Sequence, residues 1–242
     1  LDLYQSLAEP RKNIHVAITS HELGGGERMA IALAGGLKER GWTLSATCAG
    51  DPLAGRFESA GIPVSRASMK AGGVFFASRL AADLRKHAPD LIHAHLNKAA
   101  LIAGLFRRWC SIPVAGHVHG LNRASYYRWN TVSIAVSKAV FDHLAGQGLP
   151  AVRLHVLPNC LDKPVAEVRR LPGPPWIMAI PAKLHANKGH AWALAALERS
   201  LSRLPDFHLW IFGDGPEKDA LMKRFSSGPL APKLTFWGFK ND

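Results

Sequence analysis

The chain has 242 residues, 48% hydrophobic and 20% charged, the balance of a globular protein with its own core, which excludes a disordered or fibrous chain. Its three cysteines, Cys48, Cys110 and Cys160, are odd in number and scattered, which excludes a closed disulfide framework and a Cys-x-x-Cys zinc knuckle. The formal net charge of +12 draws phosphate-bearing ligands or anionic lipid, but with no dense basic block and no aromatic-plus-basic ladder it does not describe a nucleic-acid binder.

The sequence begins with Leu1 rather than Met, so a fragment or a processed product is expected. Residues 1–10 carry Asp2 and Glu9 and lack the apolar run of a signal peptide. The longest apolar run of the middle, 99–106, is too short to span a bilayer. A cytoplasmic protein is expected.

In chain order, the apolar run 14–19 predicts a strand and a glycine-rich turn follows at 21–26. Met29, Ala30, Leu33, Ala34 and Leu37 keep helical spacing over 27–40, and Gly41 stops that helix. Strands are expected at 42–49, 64–67, 90–94, 114–117, 131–136 and 154–157. Between them lie a loop with a short helix at 50–60 and helices at 75–87, 98–109 and 138–146. Pro89 breaks one helix, and Gly146 with Gly148 stops another. Strands alternating with helices, apolar on both faces, predict a parallel, doubly wound α/β sheet. Residues 163–175 hold four prolines and Arg169-Arg170, the composition of a linker. The pattern then restarts: strand 176–180, helix 189–203, strand 208–212, helix 217–225, strand 234–237. This divides the chain into a first domain at 1–162, a linker at 163–175 and a partial second domain at 176–242. Half of a doubly wound sheet leaves one face uncovered.

Four places carry candidate chemistry. Gly24-Gly25-Gly26-Glu27 opens a helix, where free N–H groups and the helix dipole suit a phosphate. The motif is neither a dinucleotide fingerprint nor a Walker loop. His93-x-His95 and His117-x-His119 fall at strand ends, where alternate residues share a face. Without a nearby acid or thiol they predict rings facing a ligand crevice rather than a metal site. Lys183 and Lys188 flank a strand-to-helix connection and suit a pyrophosphate. Gly213-Asp214-Gly215-Pro216 is a turn whose backbone could meet a ligand. Phe106-Arg107-Arg108-Trp109 and Tyr126-Tyr127-Arg128-Trp129 pair aromatic with basic residues, as an anionic membrane surface favours.

Together these motifs resemble the retaining GT-B glycosyltransferases of the large family called GT4. The resemblance rests on Gly24-Gly25-Gly26-Glu27, Pro89-Asp90-Leu91-Ile92-His93-Ala94-His95, His117-Val118-His119-Gly120 and Ala135-Val136-Ser137-Lys138. It continues through Leu157-Pro158-Asn159-Cys160-Leu161-Asp162, Ala182-Lys183-Leu184 with Lys188-Gly189, and Phe212-Gly213-Asp214-Gly215-Pro216. Three departures stand out. Cys160 replaces a hinge glycine, Lys183 replaces an arginine, and the chain ends before the family's paired glutamates.

The resemblance implies a GT-B-like fold of two Rossmann-like domains, the second incomplete. It implies transfer of a hexosyl or other glycosyl group from a UDP- or GDP-linked sugar to a glycan or lipid-linked acceptor, with retention, in polysaccharide or glycolipid assembly. Gly25, Gly26, Lys183 and Lys188 would hold the donor phosphates, and Gly213, Asp214 and Gly215 the nucleotide side. His119 would meet the reacting sugar, and His95 and Asn97 would stand on the acceptor side. No metal or cofactor is expected, and a peripheral contact with the inner face of an anionic membrane is. The alternatives are an inactive nucleotide-binding fragment, a nucleotide-sugar epimerase, and a metal-dependent hydrolase using the histidine-rich strand ends.

Overall fold

A computed structural model describes residues 13–21, 23–159 and 173–240. The chain divides into two compact units, Leu1–Pro164 and Val165–Asp242. The hinge residues Cys160, Leu161 and Asp162 and most of the expected linker lie outside the described residues.

The first unit is one seven-stranded sheet built from β1 (Asn13–Ile18), β2 (Thr43–Cys48), β3 (Val64–Arg66), β4 (Leu91–His95), β5 (Val114–Val118), β6 (Val132–Ala135) and β7 (Leu154–Val156). Its order is β3-β2-β1-β4-β5-β6-β7, with every pairing parallel. The helices are α1 (Gly25–Glu39), α2 (Asp51–Ser59), α3 (Val74–His87), α4 (Asn97–Cys110) and α5 (Lys138–Gly146).

Side-chain alternation along β1 shows how both faces are filled. Ile14, Val16 and Ile18 meet Ala30 and Ala34 of α1 and Leu53, Ala54 and Phe57 of α2. Ala17 points the other way, into a core with Phe76, Leu80 and Leu84 of α3, Ala99, Ala100 and Ala103 of α4, and Val140 and Leu144 of α5. Phe57 and Phe76 are fully buried, each contributing about 1.5–3 kcal/mol of apolar burial. The strand order reverses between β1 and β4, so a crevice opens at their carboxyl ends, where open α/β sheets bind ligands.

A polar network lies inside this unit. His15 bonds Ser45 Oγ through Nδ1 and Thr47 Oγ1 through Nε2, each at 2.8 Å. Thr47 Oγ1 donates to the buried Asp83 at 2.7 Å and Ser65 Oγ donates to it at 3.0 Å. Arg79 completes the set with an ion pair to Asp83 at 3.2 Å.

The second unit is a parallel sheet of order β10-β9-β8, from β8 (Trp176–Pro181), β9 (Phe207–Phe212) and β10 (Leu234–Gly238). Helices α6 (His190–Ser200) and α7 (Lys218–Phe225) enclose a core with Phe207, Leu209 and Ile211 of β9, to which Leu194, Leu221 and Phe225 contribute. The expected uncovered face is there among the described residues. Trp210 meets Trp237 edge-on at 5.6 Å, and Phe212 stacks on Trp237 at 6.2 Å.

Most element boundaries move by one or two residues from expectation. Helix α6 departs further. Gly189 has φ of +72°, which no helix interior accepts, so α6 begins after it. Residues Leu201–Arg203 tighten into a 3-10 turn instead of prolonging the helix. The 50–60 segment is more regular than expected, a helix with Pro52 in its first turn.

Candidate active site

The loop after β1 leads into α1 through Gly24. Intrahelical bonding leaves the first-turn amides of a helix over, Gly25 and Gly26 among them, and the helix dipole makes them attractive to an anion. Glu27 is buried and its Oε2 accepts the Gly24 N–H at 3.0 Å. This is the glutamate half of a capping box, and Gly24 has no side chain to supply the other half. Gly25 has open space around its Cα, whereas Gly26 faces the ring of His119.

The two histidine pairs come together across β4 and β5. His95 lies opposite His117 in the register, so all four rings share one face of the sheet. His93 Nε2 and His117 Nδ1 are 3.3 Å apart, and His95 Nδ1 and His119 Nε2 are 3.0 Å apart. The rings of His117 and His119 stack at 4.5 Å with 6° between their planes. Among the described residues His95 Nε2, His117 Nε2 and His119 Nδ1 have no partner.

Burial sets the charge of this ladder, because a desolvated imidazole resists protonation. Burial lowers His93 to about 4, and lowers His117 to about 2 with help from His93 and His119. His95 is also pushed well below the usual range, first by burial and then by His93, His117 and His119. His119 is lowered by burial too, with the Glu27 carboxylate pulling the other way. All four rings are therefore neutral near pH 7. Among the described residues, ligand atoms of His93, His95 and His117 lie within 4.8 Å of one another, close enough to approach one metal ion.

Asn97 opens α4, one residue after Leu96 with its φ of +71°. A left-handed backbone is strained for a branched residue, and it sits here between His95 and Asn97. The Asn97 amide is held from both sides. Its Nδ2 donates to Asn122 Oδ1 at 3.2 Å, and Tyr127 OH donates to its Oδ1 at 2.7 Å.

In the second unit Lys183 and Lys188 are exposed and both lie in the connection from β8 to α6. That connection is stitched to the turn after β9. Ala182 N–H donates to Phe212 O at 3.0 Å, and Leu184 N–H donates to Asp214 O at 2.9 Å. Gly213 N–H donates to Gly238 O at 2.8 Å, and Gly215 N–H donates to Asp214 Oδ1 at 2.8 Å. A Cβ on Gly213 would overlap the Ala182 carbonyl, and one on Gly215 would overlap that of Leu184. The glycines thus serve the packing of two loops, and the N–H groups of Gly213 and Gly215 have partners inside the unit. Hydrogen bonding from Gly215 and then from Lys218 holds the Asp214 carboxyl below its usual range.

The structure brings Gly26, His95 and His119 together and sets Asn97 beside them in sequence. Lys183 shares a loop assembly with Gly213, Asp214 and Gly215. Three participants go beyond the expected set: Glu27 as a latch on the loop, Tyr127 behind Asn97, and the buried His190, which opens α6 with neither ring nitrogen partnered among the described residues. Glu27 was readable as the fourth position of its motif, while Tyr127 and His190 carried no local signal.

The chain carries two parallel, Rossmann-like sheets, of seven and three strands, and its solved neighbours place it in the GT-B class of fold. Residues 23–163 match the model described as Glycosyltransferase Family 4, and the chain belongs to that family. No curated protein matches it by sequence. Solved structures match it in fold. A glycosyltransferase from Rickettsia africae ESF-5 is 19% identical with a TM-score of 0.79, over 97% of this chain and 70% of that one. HepE of Anabaena, solved with UDP-glucose, is 19% identical with a TM-score of 0.77, over 95% and 69%. Sucrose-phosphate synthase of Thermosynechococcus elongatus is 15% identical with a TM-score of 0.72, over 94% and 71%. Among the described residues no helix is long and apolar enough to cross a membrane.

Proposed function

We propose that this glycosyltransferase moves a sugar from a nucleoside diphosphate to a hydroxyl of a glycan or lipid-linked acceptor, with retention of configuration. The contact between Gly26 and His119 at the β1/β4 crevice carries the reading, since it sets an anion-accepting helix start beside a neutral ring. The solved complex of HepE with UDP-glucose supports a UDP-type donor, with GDP as the other base in view.

In this mechanism the amides of Gly25 and Gly26 bond the donor phosphates, and Lys183 and Lys188 add positive charge. Gly213, Asp214 and Gly215 shape the nucleotide side. The bond from the anomeric carbon to the diphosphate oxygen breaks, and its electron pair leaves on the diphosphate. Charge aimed at that leaving group is the main catalytic term. The acceptor oxygen bonds the anomeric carbon on the same face and passes its proton to the departing phosphate. His119 orients the sugar, with His95 and Asn97 toward the acceptor. No metal or cofactor takes part, and the work is done at the cytoplasmic side of a membrane.

The test is release of UDP or GDP from a panel of nucleotide sugars with and without acceptor. Acceptor-dependent release supports the reading. Nucleotide binding without release favours an inactive nucleotide-binding protein, and an acceptor-independent change of the sugar favours an epimerase. The His93, His95 and His117 triad is the observation behind a metal-dependent hydrolase, which a stoichiometric metal would bring forward.

A further inference from the structure

The connection from β5 to β6 carries a tyrosine that lies behind the crevice and decides what the crevice presents. Tyr127 is 1% exposed, so its ring is out of reach of a ligand. Two glycines make its place. A Cβ on Gly116 of β5 would lie 3.0 Å from Tyr127 Cδ1, and one on Gly104 of α4 would lie 2.6 Å from Oδ1 of the neighbouring Asn130. The backbone around the ring is bonded as well. Tyr127 N–H donates to Ala124 O at 2.9 Å, and Asn130 N–H donates to Tyr127 O at 3.1 Å.

A buried hydroxyl hydrogen is costly to leave unpaired. Burial pushes the Tyr127 phenol above its usual range, with the Asn122 side chain pulling the other way, so the hydroxyl keeps its hydrogen. Its partner is Asn97 Oδ1 at 2.7 Å. Asn97 therefore has to turn its oxygen toward Tyr127, and its nitrogen then faces away, where Nδ2 donates to Asn122 Oδ1 at 3.2 Å. Asn122 is fastened in turn from the end of α5. Gln147 Oε1 accepts the Ala124 N–H at 2.9 Å, and Gln147 Nε2 donates to Asn122 O at 3.3 Å.

An amide nitrogen carries two hydrogens. Asn122 takes one of those on Asn97. The side chain is half-buried at the start of α4, two residues past the enclosed His95, and its second N–H is left for a ligand.

We propose that Tyr127 is a positioning residue, which turns Asn97 so that it offers an N–H, and not a carbonyl oxygen, to the sugar acceptor. The proposal rests on the reading of this crevice as an acceptor site. The group recognised is an oxygen with a free lone pair, as in a sugar hydroxyl or ether. An N–H at this place makes no claim on the acceptor's proton, which the transfer sends to the departing phosphate.

The experiment has two arms. In the first, nitrogen–proton correlation NMR follows the Asn97 side-chain amide, identified by the loss of its signals in Asn97→Ala. Tyr127→Phe keeps the ring and removes the hydroxyl. It should shift these signals and speed exchange of the amide hydrogens with water about fivefold. Unmoved signals would overturn the hold of Tyr127 on the amide. In the second arm, release of UDP from UDP-glucose is measured with alkyl glycosides as acceptors. Tyr127→Phe should raise the acceptor KM about fivefold and leave the donor KM unchanged. Placed on Asn97→Ala it should add nothing, because it acts through that amide. Additive losses, or an equal rise in both KM values, would overturn positioning in favour of packing alone. Gln147→Ala is the second variant should Tyr127→Phe fail to fold. Gln147 is exposed and outside the Tyr127 slot, and its loss should raise the acceptor KM about twofold by loosening Asn122. No release by the parent protein would overturn the glycosyltransferase reading, and the amide signals then decide the hold by themselves.

Discussion

A Cβ placed on Gly26 would lie 3.0 Å from His119 Cγ and 3.2 Å from Cδ2. The glycine at the start of α1 is therefore the clearance for the ring that ends β5, and two motifs some ninety residues apart form one surface. Gly26→Ala should push the imidazole by a few tenths of an ångström. Misplacement at a reacting centre lowers turnover steeply, so kcat should fall at least about tenfold with little change in melting temperature. Gly25→Ala, with open space at its Cα, is the paired control and should keep its turnover. Equal loss in both variants would place the effect on the loop backbone rather than on His119.

Stability should depend on pH through the neutral histidines. Burial holds His15 and His93 at about 4, while in the unfolded chain each takes a proton near 6.5. Their contribution is complete above about pH 6.5 and is lost as pH falls from there toward 4. The urea midpoint should drop clearly between pH 7.5 and pH 5. A midpoint that stays level across this range would mean that the buried rings already carry protons in the fold.

Asp83→Leu should lower stability by about 3 kcal/mol, because it strips Thr47 and Ser65 of their acceptor and Arg79 of its ion-pair partner. The network lies on the face of the sheet away from α1. Nucleotide affinity of the folded variant, measured by calorimetry, should match that of the parent. A shift in affinity as large as the shift in stability would tie Asp83 to the site.

Gly213→Ala should destabilise the second unit by at least about 2 kcal/mol, since its φ is +135° and the new methyl would meet the Ala182 carbonyl. Gly146→Ala meets nothing within 4 Å and should be close to neutral. Thermal unfolding followed by tryptophan emission separates the two variants. A Gly213 variant as stable as the parent would deny the packing role.

Zinc should not copurify in stoichiometric amount, and nucleotide binding should survive chelation. The triad of His93, His95 and His117 has no carboxylate or thiolate member, and His93 and His117 already approach each other at 3.3 Å. One zinc per chain after dialysis would revive the hydrolase alternative.

Much of this was legible in the sequence. Apolar strands flanked by Pro89, Gly146 and Gly148 marked the alternation, and His-x-His spacing put each pair on one face. The stacking of the pairs was not legible, because it depends on the register that sets His95 opposite His117, a property of two strands together. Nor was the Asp83 network, whose members Asp83, Thr47 and His15 sit on three elements and follow no periodicity. The boundary of α6 was misread because a glycine with helical neighbours looks like helix until its φ is known.

Hydrogen bonding within the ladder couples the tautomers of its rings. A neutral imidazole has one N–H, so the 3.0 Å bond between His95 Nδ1 and His119 Nε2 can be made in two ways. If His119 donates, its Nδ1 is a bare lone pair and His95 carries its hydrogen on Nε2. If His95 donates, His119 carries its hydrogen on Nδ1 and presents a donor there. The two rings change together. The enclosed His95 ring and the His119 ring therefore exchange tautomers only as a pair, with no change of net charge.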